Sequence, residues 1–203
     1  MSFEHLNDDT IKEILMIQDR LKVMETKNKS KESFLDYVKH VWPEFVEGEH
    51  HRLFASKLEA VAQGKIKRLI VNMPPRHTKS EFASVFFPSW FMGLKPNTKI
   101  MQTTHTAELS VRFGRKVRNL MDQNEYKQIF DNVGLSADSK SAGRWETDKG
   151  GEYFAAGVGG AITGRGADLL IIDDPHSEQD ALSPSALESA WAVSYTHLTL
   201  PTK

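Results

Sequence analysis

A chain of 203 residues, 39% hydrophobic and 26% charged, has the size and composition of one α/β domain with a buried core, and no apolar run reaches the roughly 18 residues of a membrane span. The lack of cysteine excludes disulfides, thiolate metal sites and cysteine nucleophiles together. A net charge of −1 gives no global attraction for nucleic acid, and the acidic, polar start MSFEHLNDDT is not a secretory signal, so a cytoplasmic protein is expected.

Residues 8 to 27 predict an amphipathic helix, with Ile11, Ile14, Leu15, Gln18, Leu21 and Met24 at three-four spacing and Asp8 or Asp9 as its cap. KNKSKES, 27 to 33, has no apolar period and reads as a polar linker, making 1–32 a mobile N-terminal extension of a main domain over 33–192. Helices follow at 33 to 41 and at 50 to 63, the second ended by Gly64. The period then changes. IKRLIVNM, 66 to 73, is a β-branched run of strand length, and the stretch from Lys79 to Leu94 is helical in length, with Pro88 expected to kink or end it.

TKIMQTT, 98 to 104, reads as a strand and 106 to 123 as a helix; strand and helix alternating in this way predict a parallel sheet with crossover helices. GRWETDKGGEYFAAGV, 143 to 158, has the pattern of a β-hairpin turning at DKGG. After a glycine-rich stretch, LLIIDDP, 169 to 175, reads as a buried parallel strand ended by two carboxylates. Two basic stretches, GKIKR at 64 to 68 and RFGRKVR at 112 to 118, are local DNA-contact candidates or simply solvated surface.

NMPPRHTKSEF, 72 to 82, carries the chemistry. A phosphate-binding loop presents backbone N–H groups between a strand and a helix, adds a lysine charge, and uses a Ser or Thr hydroxyl for Mg²⁺. Lys79 and Ser80 stand in that context, although the pattern G-x-x-x-x-G-K-[ST] would need glycine at Met73 and Thr78. Thr78 is therefore expected to wrap phosphate with a backbone conformation that glycine is not needed for. Asp173 and Asp174 would supply the second half of such a site, since adjacent carboxylates repel unless a cation sits between them. The alternatives are an ordinary strand-to-helix turn at Lys79 and an ordinary DDP turn after the last strand.

KIKRLIVNMPPRHTKSEF, KIMQTTHTAELSVRFGRKVR and GGAITGRGADLLIIDDP together resemble the ATPase region of the large terminase subunit of tailed bacteriophages, from about Phe34 to Trp191. The resemblance implies a P-loop NTPase-type parallel sheet with flanking helices, plus the N-terminal helical extension. It implies a Walker A loop of Pro75, Arg76, His77, Thr78, Lys79 and Ser80, with Lys79 on phosphate and Ser80 on Mg²⁺. Asp173 would be the metal-binding acid and Asp174 the catalytic one, in a position where many relatives carry a longer glutamate. His50 would close over adenine or be a surface histidine. Arg76 and Arg165 would be transition-state cations, unless Arg165 tracks DNA or only folds the glycine-rich loop.

The implied cofactors are ATP and Mg²⁺. The implied partners are double-stranded viral DNA, the portal protein, the small terminase subunit and further copies in a ring, in the host cytoplasm. Such proteins also resemble one another in a following nuclease domain, for which 203 residues leave no room, so the chain reads as a fragment with weak or no hydrolysis of its own. The tail VSYTHLTLPTK, 193 to 203, departs from the pattern and reads as adapter-derived sequence or a Thr-rich strand. Rival readings are a helicase-like DNA-dependent ATPase, a nucleotide-binding assembly module without hydrolysis, and an α/β domain with no nucleotide site.

Overall fold

In a computed structural model, residues 8–137, 141–158, 160, 166–177, 180–185 and 187–188 are described; the tail from 193 and Arg165 lie outside them. The first helix, α1, spans Asp8–Glu32, so the expected linker is instead its last turns. Lys, Ser and Glu cost a helix little, and no Gly or Pro interrupts the run. Ser33 ends it by capping α2 (Phe34–Val41), its hydroxyl accepting from the Asp36 N–H at 3.2 Å. This junction is fixed: Ser30 is buried, its carbonyl accepts from Trp90 Nε1 at 2.8 Å, and Lys27 pairs with Asp131 at 2.7 Å. The predicted apolar stripe nearer the start is not covered, with Leu15, Leu21 and Met24 all more than half exposed.

Helix α3 spans Glu49–Ala62. It closes as a Schellman turn: Gly64 at φ 74° donates to the Val61 carbonyl and Lys65 N–H reaches back to Ala60, which needs a left-handed residue where Gly64 stands. The run 66–73 is not a strand and joins no ladder. Its apolar alternation survives, with Leu69, Val71 and Met73 against the core and Ile70 88% exposed. A strand also requires a hydrogen-bonded neighbour, and the sheet places none beside this run among the described residues.

The helix from Lys79 to Leu94 is one run in three parts: α4 (Lys79–Glu81), a π-helical turn (Phe82–Phe86) and α5 (Phe87–Leu94). In the π turn, Phe87 N–H bonds five residues back to the Phe82 carbonyl. Pro88, which has no N–H to give, then enters α5 without ending it. Next come β1 (Lys99–Thr104), α6 (Ala107–Asp122) with Thr106 capping it, and a short α7 (Asn124–Ile129) that periodicity did not separate.

The hairpin forms as expected from β2 (Arg144–Glu146) and β3 (Glu152–Gly157), and β4 covers Leu169–Ile172. The sheet has the order β2-β3-β1-β4. Strand β1 pairs in parallel with both β3 and β4, and only the β2–β3 pair is antiparallel. Strand β4 is thus an edge strand and mostly half-buried, where a fully buried one was expected; β1 is the covered strand.

The main core lies on one sheet face. Ile100, Ala155 and Ile171 meet aromatic side chains from the helices there, including Phe34, Phe82, Trp90, Tyr126 and Phe130. The Phe34 ring makes edge contacts with Phe82, Phe87 and Trp90 at 5.5–5.9 Å between centroids. A smaller cluster of Met101 and Ala156, with Phe154 and Leu170, lies apart from it. The result is mixed α/β: four mostly parallel strands flanked by helices. No helix among the described residues is long and apolar enough to cross a membrane.

Candidate functional site

The strands β1 and β4 run side by side, so their C-terminal ends bring His105 and Asp174 together. His105 donates twice to the Asp174 carbonyl, from its backbone N–H at 3.1 Å and from Nδ1 at 3.2 Å. Asp174 turns away at φ 42°, a left-handed conformation that a short polar side chain tolerates. Consecutive carboxylates therefore part company. Asp173 is 5% exposed, and the Asp174 side chain is 59% exposed. The expectation of two buried acids holds for Asp173 only.

Lys79 joins the two halves. At the first position of α4 its Nζ lies 2.5 Å from Asp174 Oδ1 and 3.6 Å from Asp173 Oδ1, across 95 residues of sequence. Partial burial opposes its charge, but the two carboxylates outweigh burial and raise its pKa above the ordinary lysine value. Ser80 follows it in the same first turn, half-buried.

The loop ahead of Lys79 takes its shape from residues other than glycine. Arg76 at φ 64° and Thr78 at φ 60° both adopt the left-handed region, where a Cβ costs about 1–2 kcal/mol. The expectation for Thr78 is corrected: it holds the backbone conformation that glycine prefers, and its side chain offsets that cost by bonding. Its hydroxyl donates to the His77 carbonyl at 2.6 Å and contacts His51 Nε2 at 2.6 Å. His77 Nδ1 donates to the Pro75 carbonyl at 2.9 Å, so Pro75, His77 and Thr78 all serve to fold the loop. Arg76 is exposed at its tip. His50 is exposed too, its ring 5.6 Å from that of His77 and 3.8 Å from that of His51.

Three further residues belong to this constellation and carry no sequence motif. The Ser84 hydroxyl, on the π turn, donates to Asp173 Oδ2 at 2.9 Å, and Gln102 Nε2 donates to Ser84 Oγ at 3.1 Å. Both are fully buried, and Gln102 Oε1 has no partner among the described residues. His51 stands behind the loop, 6% exposed. No sequence signal marks any of them: Gln102 stands in a strand whose next two residues, Thr103 and Thr104, are polar and buried as well.

The donors suit a hard cation. Mg²⁺ takes one or two carboxylates together with phosphate and water, and Asp173, Asp174 and the Ser80 hydroxyl are oxygens of that kind. No group of three or more His, Asp or Glu able to hold a metal ion occurs among the described residues. In the basic stretch on α6, Arg112 and Arg115 are exposed, and Lys116 is paired with Glu81 of α4. No family model, curated protein or solved structure matches this chain.

Proposed function

We propose that this chain is a nucleoside-triphosphate-binding domain of P-loop type, the ATPase part of a DNA-packaging motor of the phage terminase kind. The observation that carries the nucleotide reading is the Lys79 ammonium held by Asp173 and Asp174, at the junction of a left-handed loop, a helix start and a strand end. The terminase reading adds the sequence resemblance, which covers both halves of that site.

In this reading the backbone N–H groups of residues 76–80 receive the phosphates, and Lys79 exchanges Asp174 for them. Asp173, held by Ser84, and Ser80 would be the residues to hold a Mg²⁺ that arrives with the phosphates. Mg²⁺ bound there supplies charge neutralisation between the phosphates. Asp174, exposed and released from Lys79, is then placed to orient water as a general base. Arg76 at the loop tip supplies a guanidinium to the developing charge. Double-stranded DNA, portal, small subunit and neighbouring copies are the partners this reading implies.

Titration calorimetry of the 203-residue chain with ATP and Mg²⁺ tests it. Wild type binds, Lys79→Ala loses at least about tenfold in affinity, and Asp174→Asn still binds. Absence of binding by the folded wild-type chain would sink the nucleotide reading. Hydrolysis that DNA does not stimulate, in a longer chain carrying the following domain, would sink the packaging-motor reading.

A further inference from the structure

Thr78 is held from behind by a residue outside every motif. His51 on α3 accepts a hydrogen bond at Nδ1 from the Gly48 N–H, at 2.9 Å. A backbone N–H can only donate, so Nδ1 carries the lone pair and the ring proton sits on Nε2. Nε2 lies 2.6 Å from Thr78 Oγ1 and therefore donates to it, and the Thr78 hydroxyl in turn donates to the His77 carbonyl. The chain of bonds runs one way, from Gly48 through His51 and Thr78 to the loop backbone. Only the Gly48 link requires neutral His51, since an imidazolium keeps the Nε2 proton that Thr78 accepts.

The imidazole is fixed in place by packing. Its ring lies 4.8 Å from that of Phe45 and 5.1 Å from that of Phe82, the first residue of the π turn. We propose that His51 is a positioning residue: in its Nε2–H tautomer it holds Thr78 in the left-handed conformation and thereby fixes the shape of the loop over residues 76–80. The role in nucleotide binding rests on the function proposed above; the clamp itself does not.

A proton on Nδ1 would cost the Gly48 bond and leave the Nε2–H donation to Thr78 in place. The groups around the ring decide where that happens. Burial comes first and lowers the pKa below the ordinary histidine value, the neighbouring His50 lowers it further, Glu47 opposes them, and His77 of the loop lowers it again. Glu47 is itself engaged by Lys39 and Arg52, which weakens its pull. A lowered folded-state pKa means that the Gly48 bond is complete above the unfolded value of about 6.5 and is lost as pH falls through the lowered folded value, while the bond to Thr78 is kept.

Amide hydrogen exchange of the ligand-free chain reads the clamp directly at residues 76–80. His51→Phe keeps the ring against Phe45 and Phe82 but removes both hydrogen bonds, and exchange there should rise about tenfold. Thr78→Ala removes the same bond from the other side and should match it, which keeps the test intact if His51→Phe does not fold. In a Thr78→Gly background, where no hydroxyl is left to hold, His51→Phe should add nothing to exchange over 76–80. Corrected for intrinsic rates, exchange of the wild-type Gly48 amide should accelerate as pH falls below 6.5, while that of His51→Phe stays flat.

Unchanged exchange in both single variants would overturn the proposal. So would an equal effect of His51→Phe with and without Thr78→Gly, which would make His51 a core-packing residue only. A parallel titration with ATP and Mg²⁺ separates the two readings: protected amides without ATP binding leave the clamp standing and remove the nucleotide function.

Discussion

The two edges of the sheet are built differently. At the β2–β3 edge, Trp145 is fully buried and stacked on Tyr153 with centroids 4.9 Å apart, its Nε1 donating to the Gly114 carbonyl at 3.1 Å. Thr147 accepts from Gly151 N–H and donates to Pro96 O, each at 2.8 Å, so the hairpin is bonded to the segment that enters β1. At the β4 edge the strand is four residues long; Asp174, which follows it, has a positive φ and pairs with Lys79, next to Thr78, and Thr78 and Arg76 are the other non-glycine residues of positive φ among those described. Packing sets the first edge; polar contacts between strained backbone segments set the second. Strain of this kind persists only where surrounding structure over-determines it, and it concentrates at sites that bind or react.

If that division is right, stability and ligand affinity respond to different residues. Trp145→Ala should have the largest effect on stability, a loss of about 3–5 kcal/mol in denaturant unfolding, with the affinity of the remaining folded protein for Mg-ATP unchanged. Gly114→Ala comes next. A Cβ there would stand 2.8 Å from the Ala142 carbonyl oxygen and 2.9 Å from Tyr153 Cε1, and a backbone neighbour cannot rotate away, so about 1–3 kcal/mol should be lost.

Ser84→Ala crosses the boundary between the two regions. It removes a donor from buried Asp173 and an acceptor from Gln102, for about 1–2 kcal/mol of stability, and it should weaken Mg-ATP binding as well. Lys79→Ala should cost least, about 1 kcal/mol, because its pair with the exposed Asp174 is screened by solvent and buried Asp173, 3.6 Å from Nζ, keeps its bond from Ser84, yet it should remove nucleotide binding. Unfolding curves and calorimetry on the same four proteins check the ranking. A Trp145 variant that binds as poorly as the Lys79 variant would break the comparison.

Elements fixed by local pattern were legible in the sequence. Helix α3 with its Gly64 stop, α6, strand β1 and the hairpin all follow from period and punctuation. The run 66–73 was misread because a strand is defined by its neighbour, and apolar alternation says nothing about which neighbour is present. The polar stretch 27–33 was misread because it lacks a breaker, and packing of Ser30 and Lys27 decides its state.

Within the site, the Lys79–Asp173–Asp174 grouping was visible from order and spacing. Ser84, Gln102 and His51 were not. Each acts through a contact more than fifteen residues distant, on a helix or strand whose period gives it no distinction from its neighbours. Thr78 was half legible: its place in the loop could be read, but its left-handed backbone is held by His51, and that bond exists only in three dimensions.

The π turn at Phe82–Phe86 sets an angular phase between the two ends of one helix. Each residue of an α-helix turns the chain by about 100°, so removing one residue from this stretch and restoring a uniform pitch would rotate α4 by about that angle against α5. Lys79 and Ser84 could then no longer face the Asp173 side of the sheet while Trp90 and Phe91 face the core. The surplus residue is a gearing between the apolar face that anchors the helix and the polar face that reaches the strand end, and a single-residue deletion would uncouple them without altering any side chain of the site.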